Sequence, residues 1–161
     1  MFEIRPAQVS DLKRLHEIEV ECFGAEGVTP QQLNWILEKQ GENPVIFISV
    51  ATDPEKSDQV KDLLGFICWK SQTIENGQHF EILDLGVSKL YRREGVAQEL
   101  IMYLLARAKA EKFLGIVVYL SEGNPPARAL YEKLGFQTQR VMKAYYQDGT
   151  NALLMVLATS A

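Results

Sequence analysis

The sequence predicts an α/β domain, a mixed β-sheet with helices on its faces. Segments rich in β-branched and aromatic residues alternate with helical apolar stripes along the chain. One continuous apolar run, GIVVYLSE at 115–122, reads as a strand buried on both faces. The chain has 161 residues, 47% of them hydrophobic and 24% charged, which suits one domain over 1–161 with a real core.

The elements follow in order. FEIRPA alternates like a short strand. Ser10 then reads as an N-cap, with Leu12, Leu15, Ile18 and Cys22 at helical spacing behind it. GAEGV breaks that helix. Thr29, Pro30 and Gln32 give the next start signal, a cap with a proline and a capping-box glutamine, and Leu33, Ile36 and Leu37 form the buried stripe. PVIFISVA and LLGFICWKSQ read as strands separated by the polar loop TDPEKSDQVKD. NGQ is a turn and HFEILDLGV a further strand. Ala97, Leu100, Ile101, Leu104, Leu105 and Ala108 mark an amphipathic helix. After 115–122, Asn124 opens a short helix that carries Ala127, Leu130, Tyr131 and Leu134 and ends at Gly135. FQTQRVMKAYY and NALLMVLAT close the chain as a hairpin around QDGT.

Composition narrows the function. The net charge of -4 argues against nucleic-acid binding, which relies on neutralising many phosphates, while leaving room for a small anion at a local basic cluster. Cys22 and Cys68 lack zinc-ligand spacing and read as reduced core thiols, so no metal is expected. The start MFEIRPAQVSDLKRL has no apolar core and no cleavage site of an export signal, and no apolar run reaches the roughly 18 residues of a membrane span. A cytoplasmic protein without a membrane partner is expected; monomer and homodimer are equally compatible with the sequence.

LYRREGVAQELI, residues 90–101, gathers charge and bare backbone where a helix begins. Such a start offers unpaired N–H groups and the positive end of the helix dipole. Gly95 and Ala97 let a ligand approach the backbone, and Arg92 and Arg93 add forked donors for phosphate oxygens. An ordinary strand-to-helix turn with solvated arginines is the competing reading of these residues alone. There is no Lys-Ser/Thr of a Walker loop and no GxGxxG.

LGVSKLYRREGVA followed by NPPARALYEKLGF resembles the GCN5-related N-acetyltransferase (GNAT) family, and the element order is similar to that fold over essentially the whole chain. The resemblance implies acetyl-CoA as cosubstrate. Its pyrophosphate motif is matched by Arg92, Arg93, Glu94, Gly95, Val96 and Ala97. It implies splayed parallel strands, here 80–88 and 115–121, with Leu85, Gly86 and Val87 offering main-chain groups to the pantetheine arm. Lys89 stands where the family often has proline. Asn124 matches a residue that contacts the cofactor arm, and Tyr131, seven residues on, matches the acid that meets the CoA sulfur.

The implied chemistry is direct attack of an amine on the thioester, which needs a proton acceptor for the amine and a proton donor for the thiolate. Glu81, four residues before Leu85, matches a position at which many members carry the base. Tyr119 stands where ribosomal-protein acetyltransferases place a glutamate, and is expected to hold a water instead. His16 and His79 read as surface or strand-end residues. Tyr145 and Tyr146 resemble the tyrosines that cover the peptide backbone in acetyltransferases of protein N-termini, and as strand neighbours they are expected on opposite faces. An α-amine suits a site without a strong base, because deprotonating lysine at neutral pH costs roughly 3–4 kcal/mol more. A small-molecule amine acetyltransferase and a non-catalytic acyl-CoA-binding module are the alternative readings.

Overall fold

The computed structural model describes residues 2–40, 42, 46–56 and 63–160. Residues 44–45 of the expected strand PVIFISVA and 57–62 of the expected loop lie outside them. The seven strands are β1 (Glu3–Pro6), β2 (Ile46–Thr52), β3 (Leu63–Ile74), β4 (Gly77–Val87), β5 (Gly115–Ser121), β6 (Gln137–Met142) and β7 (Ala152–Ala158). The helices are α1 (Leu12–Phe23), α2 (Pro30–Lys39), α3 (Val96–Ala110) and α4 (Pro125–Lys133). The strands form one mixed sheet in the order β1-β2-β3-β4-β5-β7-β6, with β4 and β5 parallel. Two compact units divide the chain: Met1–Lys70 with Leu83–Tyr103, and Ser71–Ile82 with Leu104–Ala161.

In the first unit, α1 and α2 cover β2 and β3. Leu15, Ile18, Leu33 and Leu37 pack with Ile48, Val50, Phe66 and Cys68 in one apolar cluster. The capping box of α2 forms as its residues require: Thr29 Oγ1 accepts the Gln32 N–H at 3.2 Å and Gln32 Oε1 accepts that of Thr29 at 2.9 Å. The start of α1 differs from expectation. Asp11, not Ser10, takes the N-cap position, without a side-chain bond to the helix, after a 3-10 turn at Val9–Asp11. Asp11 accepts the Gln8 N–H at 2.7 Å and takes a two-pronged ion pair from Arg5 at 2.8 and 2.9 Å, a tertiary anchor Ser10 cannot make.

In the second unit, β4 and β5 are in register from His79–Gly115 to Ile82–Val118. The β3–β4 turn falls at Glu75 and Asn76, both with positive φ (50° and 67°), slightly ahead of the expected NGQ, and Gly77 belongs to β4. This is the twist a tight hairpin favours. β5 is flanked by β7, whose Ala152, Leu153, Leu154 and Met155 are buried. β6 is the exposed edge. Leu130 was expected in the stripe of α4 but is exposed; this short helix buries Tyr131 instead. His79 is buried near the start of β4, with Nδ1 3.2 Å from the Gly77 carbonyl oxygen.

Gly115 is held by close packing. A Cβ there would lie 2.4 Å from the Leu157 carbonyl oxygen and 3.1 Å from Ala158 Cα, backbone atoms of the adjoining strand. Gly115→Ala should therefore cost about 1–3 kcal/mol, read as a lower melting temperature. An unchanged midpoint would contradict this close approach.

Candidate active site

The loop expected to bind an anion belongs to the first unit. β4 ends at Val87 and a 3-10 turn over Lys89–Tyr91 follows. Ser88 is fully buried, donating its N–H to the Leu64 carbonyl at 2.8 Å and accepting from Arg14 Nη2 at 3.0 Å, which fixes the base of the loop. Arg93 and Gly95 take left-handed φ values of 65° and 84°, turning the chain into α3. Val96 is buried and anchors the helix start, Ala97 is half-buried, and Arg92, Arg93, Glu94 and Gly95 are exposed. The Glu99 N–H bonds to the Gly95 carbonyl at 3.0 Å, so the N–H groups ahead of it belong to the unpaired first turn of a helix.

These residues fit a pyrophosphate. A Cβ built on Gly95 meets no atom within 4 Å, so the space over the loop is open to a ligand. Gly86 has the opposite character: a Cβ there would lie 2.7 Å from the Phe66 ring, and its lack of a side chain lets β4 pack closely. Leu85 and Val87 beside it are half-buried. Cys22, expected in the core, sits against this segment. Its thiol donates to the Val87 carbonyl at 3.4 Å and accepts from Arg92 Nη2 at 3.6 Å.

The second unit holds the residues expected to do chemistry. Glu81 is buried, accepts from Gln72 Nε2 at 3.2 Å, and stands opposite Val117 in the register. Tyr119, two residues beyond Val117, points to the same face. Burial, then the charge of Glu81, then Tyr145 raise the Tyr119 phenol above its ordinary pKa, against the opposing charge of Arg140. At neutral pH Tyr119 is therefore a hydrogen-bond donor and not a base. Its ring stacks on Tyr145 at 6.3 Å and 9°. Tyr146 meets Tyr145 edge-on at 5.1 Å.

Tyr145 and Tyr146 are not strand residues on opposite faces. β6 ends at Met142, and Ala144 turns the chain at φ 52°. Asn151 holds the resulting loop: its Oδ1 accepts the Ala144 N–H at 2.9 Å and its Nδ2 donates to Glu122 at 2.8 Å. In the sequence this role shows only as a polar residue at the head of β7. Asn124 caps α4, its Oδ1 accepting the Ala127 N–H at 3.3 Å. Tyr131 is buried with its ring edge-on to Phe136 at 5.2 Å.

The sequence also concealed a carboxyl pair in the first unit. Asp84 and Glu19, a residue of α1 that is only 1% exposed, line one hollow. Among the described residues, no group of three or more His, Cys, Asp or Glu side chains could hold a metal ion, and no helix is long and apolar enough to cross a membrane.

The Acetyltransferase (GNAT) family model matches residues 12–136, and the chain belongs to that family. Among curated proteins it is similar to the N-alpha-acetyltransferase of Saccharolobus solfataricus, with 38% identity over 76 residues, which is 46% of this chain and 45% of that protein. The match thus spans less than half the length of that relative. An N-acetyltransferase of Methanocaldococcus jannaschii matches over 95% of this chain and 89% of its own length at 29% identity. Among solved structures, Arabidopsis thaliana NAA60 in complex with acetyl-CoA shares the fold at a TM-score of 0.80 and 23% identity over the full length of both chains.

Proposed function

We propose that this protein transfers the acetyl group of acetyl-CoA to the α-amine of a protein or peptide N-terminus, in the cytoplasm. The observation that carries this reading is the clustering of Tyr119, Tyr145 and Tyr146 on the sheet face that bears Glu81, an aromatic cover suited to an extended peptide backbone beside a carboxylate. The name of the Saccharolobus solfataricus relative supports the same acceptor. Two free cysteines suit the reducing compartment.

Acetyl-CoA when bound supplies an activated thioester. Backbone N–H groups from Glu94 to Ala97, with Arg92 and Arg93, bind its pyrophosphate. Leu85, Gly86 and Val87 offer main-chain groups to the pantetheine arm beyond the end of the β4–β5 register, and Asn124 adds a side-chain amide. Glu81 takes the proton of the incoming ammonium, directly or through a water held by the neutral Tyr119 phenol. Tyr131 returns a proton to the departing sulfur.

Tyr131→Phe keeps the ring against Phe136 and removes only the hydroxyl. Turnover should fall about 100-fold with acetyl-CoA affinity nearly unchanged; wild-type turnover would return Tyr131 to a packing role. Tyr145→Ala removes the stacking partner of Tyr119. It should raise the peptide KM about tenfold, the scale of one lost aromatic contact, and leave acetyl-CoA binding unchanged. Equal peptide KM values would remove Tyr145 from the acceptor site.

The acceptor class is tested by thiol release from acetyl-CoA. Peptides with free N-termini should be acetylated, and the same peptides blocked at the N-terminus but carrying lysine should not. Equal rates on the blocked set would overturn the α-amine assignment.

A further inference from the structure

The Glu19–Asp84 pair sets a buried carboxyl beside a half-buried one without a resident counter-charge. Glu19 Oε1 accepts the Val28 N–H at 2.9 Å, while the buried Oε2 has no hydrogen-bond partner. Neither residue enters an ion pair among the described residues. Two carboxylates buried together are costly unless something neutralises them. Without a ligand, a proton does so: burial first, then Glu19, push Asp84 up to about 8.

The pair is set in a cavity. Asp84 lines a space of about 500 Å³ whose wall includes Ile36, Ile48, Phe66 and Leu83. With Glu19 it also lines a second hollow of about 400 Å³, and Val28, Leu83 and Asp84 belong to both. All these residues lie in the first unit. Two carboxyls are too few for calcium or magnesium, which take six or more oxygens. An uncharged hydrocarbon would leave the carboxyls unused.

We propose that this cavity receives an amphipathic cation, a hydrocarbon stem ending in an ammonium or guanidinium, with the stem along the apolar wall and the head on Glu19 and Asp84. The lysine or arginine side chain of a peptide and a free polyamine share this chemistry. The inference does not depend on acetyl transfer, because binding is read without acetyl-CoA.

Proton linkage gives the site a signature. The groups around Asp84 are Glu19 from α1 and the Cys68 thiol from β3, which burial, Asp84 and Glu19 push up so that it stays neutral. The facing part of α2 contributes the uncharged amides of Gln31 and Gln32. A bound cation therefore displaces the proton of Asp84. Cation affinity should rise about tenfold per pH unit while Asp84 is protonated, and level off above about pH 8.

The test is an NMR titration of the whole protein with pentylammonium and with 1-pentanol, at about pH 6 and about pH 8. Pentylammonium should bind at least about tenfold more tightly than the alcohol at the higher pH, as a charge-assisted hydrogen bond requires. Its advantage should shrink at the lower pH. Glu19→Gln combined with Asp84→Asn should erase both the preference and its pH dependence while pentanol binding persists. Equal affinities of amine and alcohol at both pH values, or a preference that survives the double variant, would overturn the proposal. If the double variant does not fold, the pH dependence in the wild-type protein decides alone. Titration with Nα-acetyl-lysine amide and with spermidine then identifies the source, the tighter binder being the one the cavity serves.

Discussion

Gly95→Val should abolish most of the stabilisation that acetyl-CoA gives the protein. Gly95 holds φ at 84° over open space, immediately before α3. Valine is strained there, at roughly 1–2 kcal/mol, and its branched side chain occupies the space through which a phosphate reaches the helix start. Ligand at about 100 times its dissociation constant adds about 2.7 kcal/mol to the wild-type protein. The apo midpoint of the variant should fall modestly, and the ligand-dependent increment should nearly vanish. A full increment in the variant would remove residues 92–97 from the cofactor site.

Glu81→Gln should lower turnover by about 10²–10⁴, the range for loss of a positioned base. The change preserves the size of the side chain and its contact with Gln72, since an amide oxygen still accepts the Gln72 N–H, but removes the proton acceptor. Folding should survive. The acidic limb of the pH–rate profile should flatten as well, because that limb reports protonation of the base. Tyr119 cannot take over at neutral pH: burial, Glu81 and Tyr145 all hold its phenol in the protonated form. An unchanged rate and profile would mean that another group, or bulk water, accepts the proton.

The features legible in the sequence are those whose chemistry is local. The Thr29–Gln32 box is complete within four consecutive residues, and it forms. The loop at 92–97 places a glycine directly before an apolar stripe, and that glycine turns the chain into α3. The strand run at 115–121 needed only its continuous apolarity.

What was not legible depends on partners distant in the chain. Asp11 displaces Ser10 because Arg5 of β1 reaches it. Tyr145 and Tyr146 leave the strand because Ala144 turns the chain and Asn151, beyond the turn, holds it there. Leu130 looked like a member of a stripe, yet α4 is too short to bury more than one side of a turn. The Glu19–Asp84 pair joins a helix near one end of the sequence to a strand some sixty-five residues on.

The central claim is the identity of the acceptor atom. The direct measurement uses one peptide with a free N-terminus and an internal lysine, incubated with acetyl-CoA and the protein, with the acetyl group located by tandem mass spectrometry. The acetyl group should be found on the N-terminal nitrogen. Acetylation confined to the lysine Nζ, or none on the peptide while the protein acetylates small amines, would contradict it.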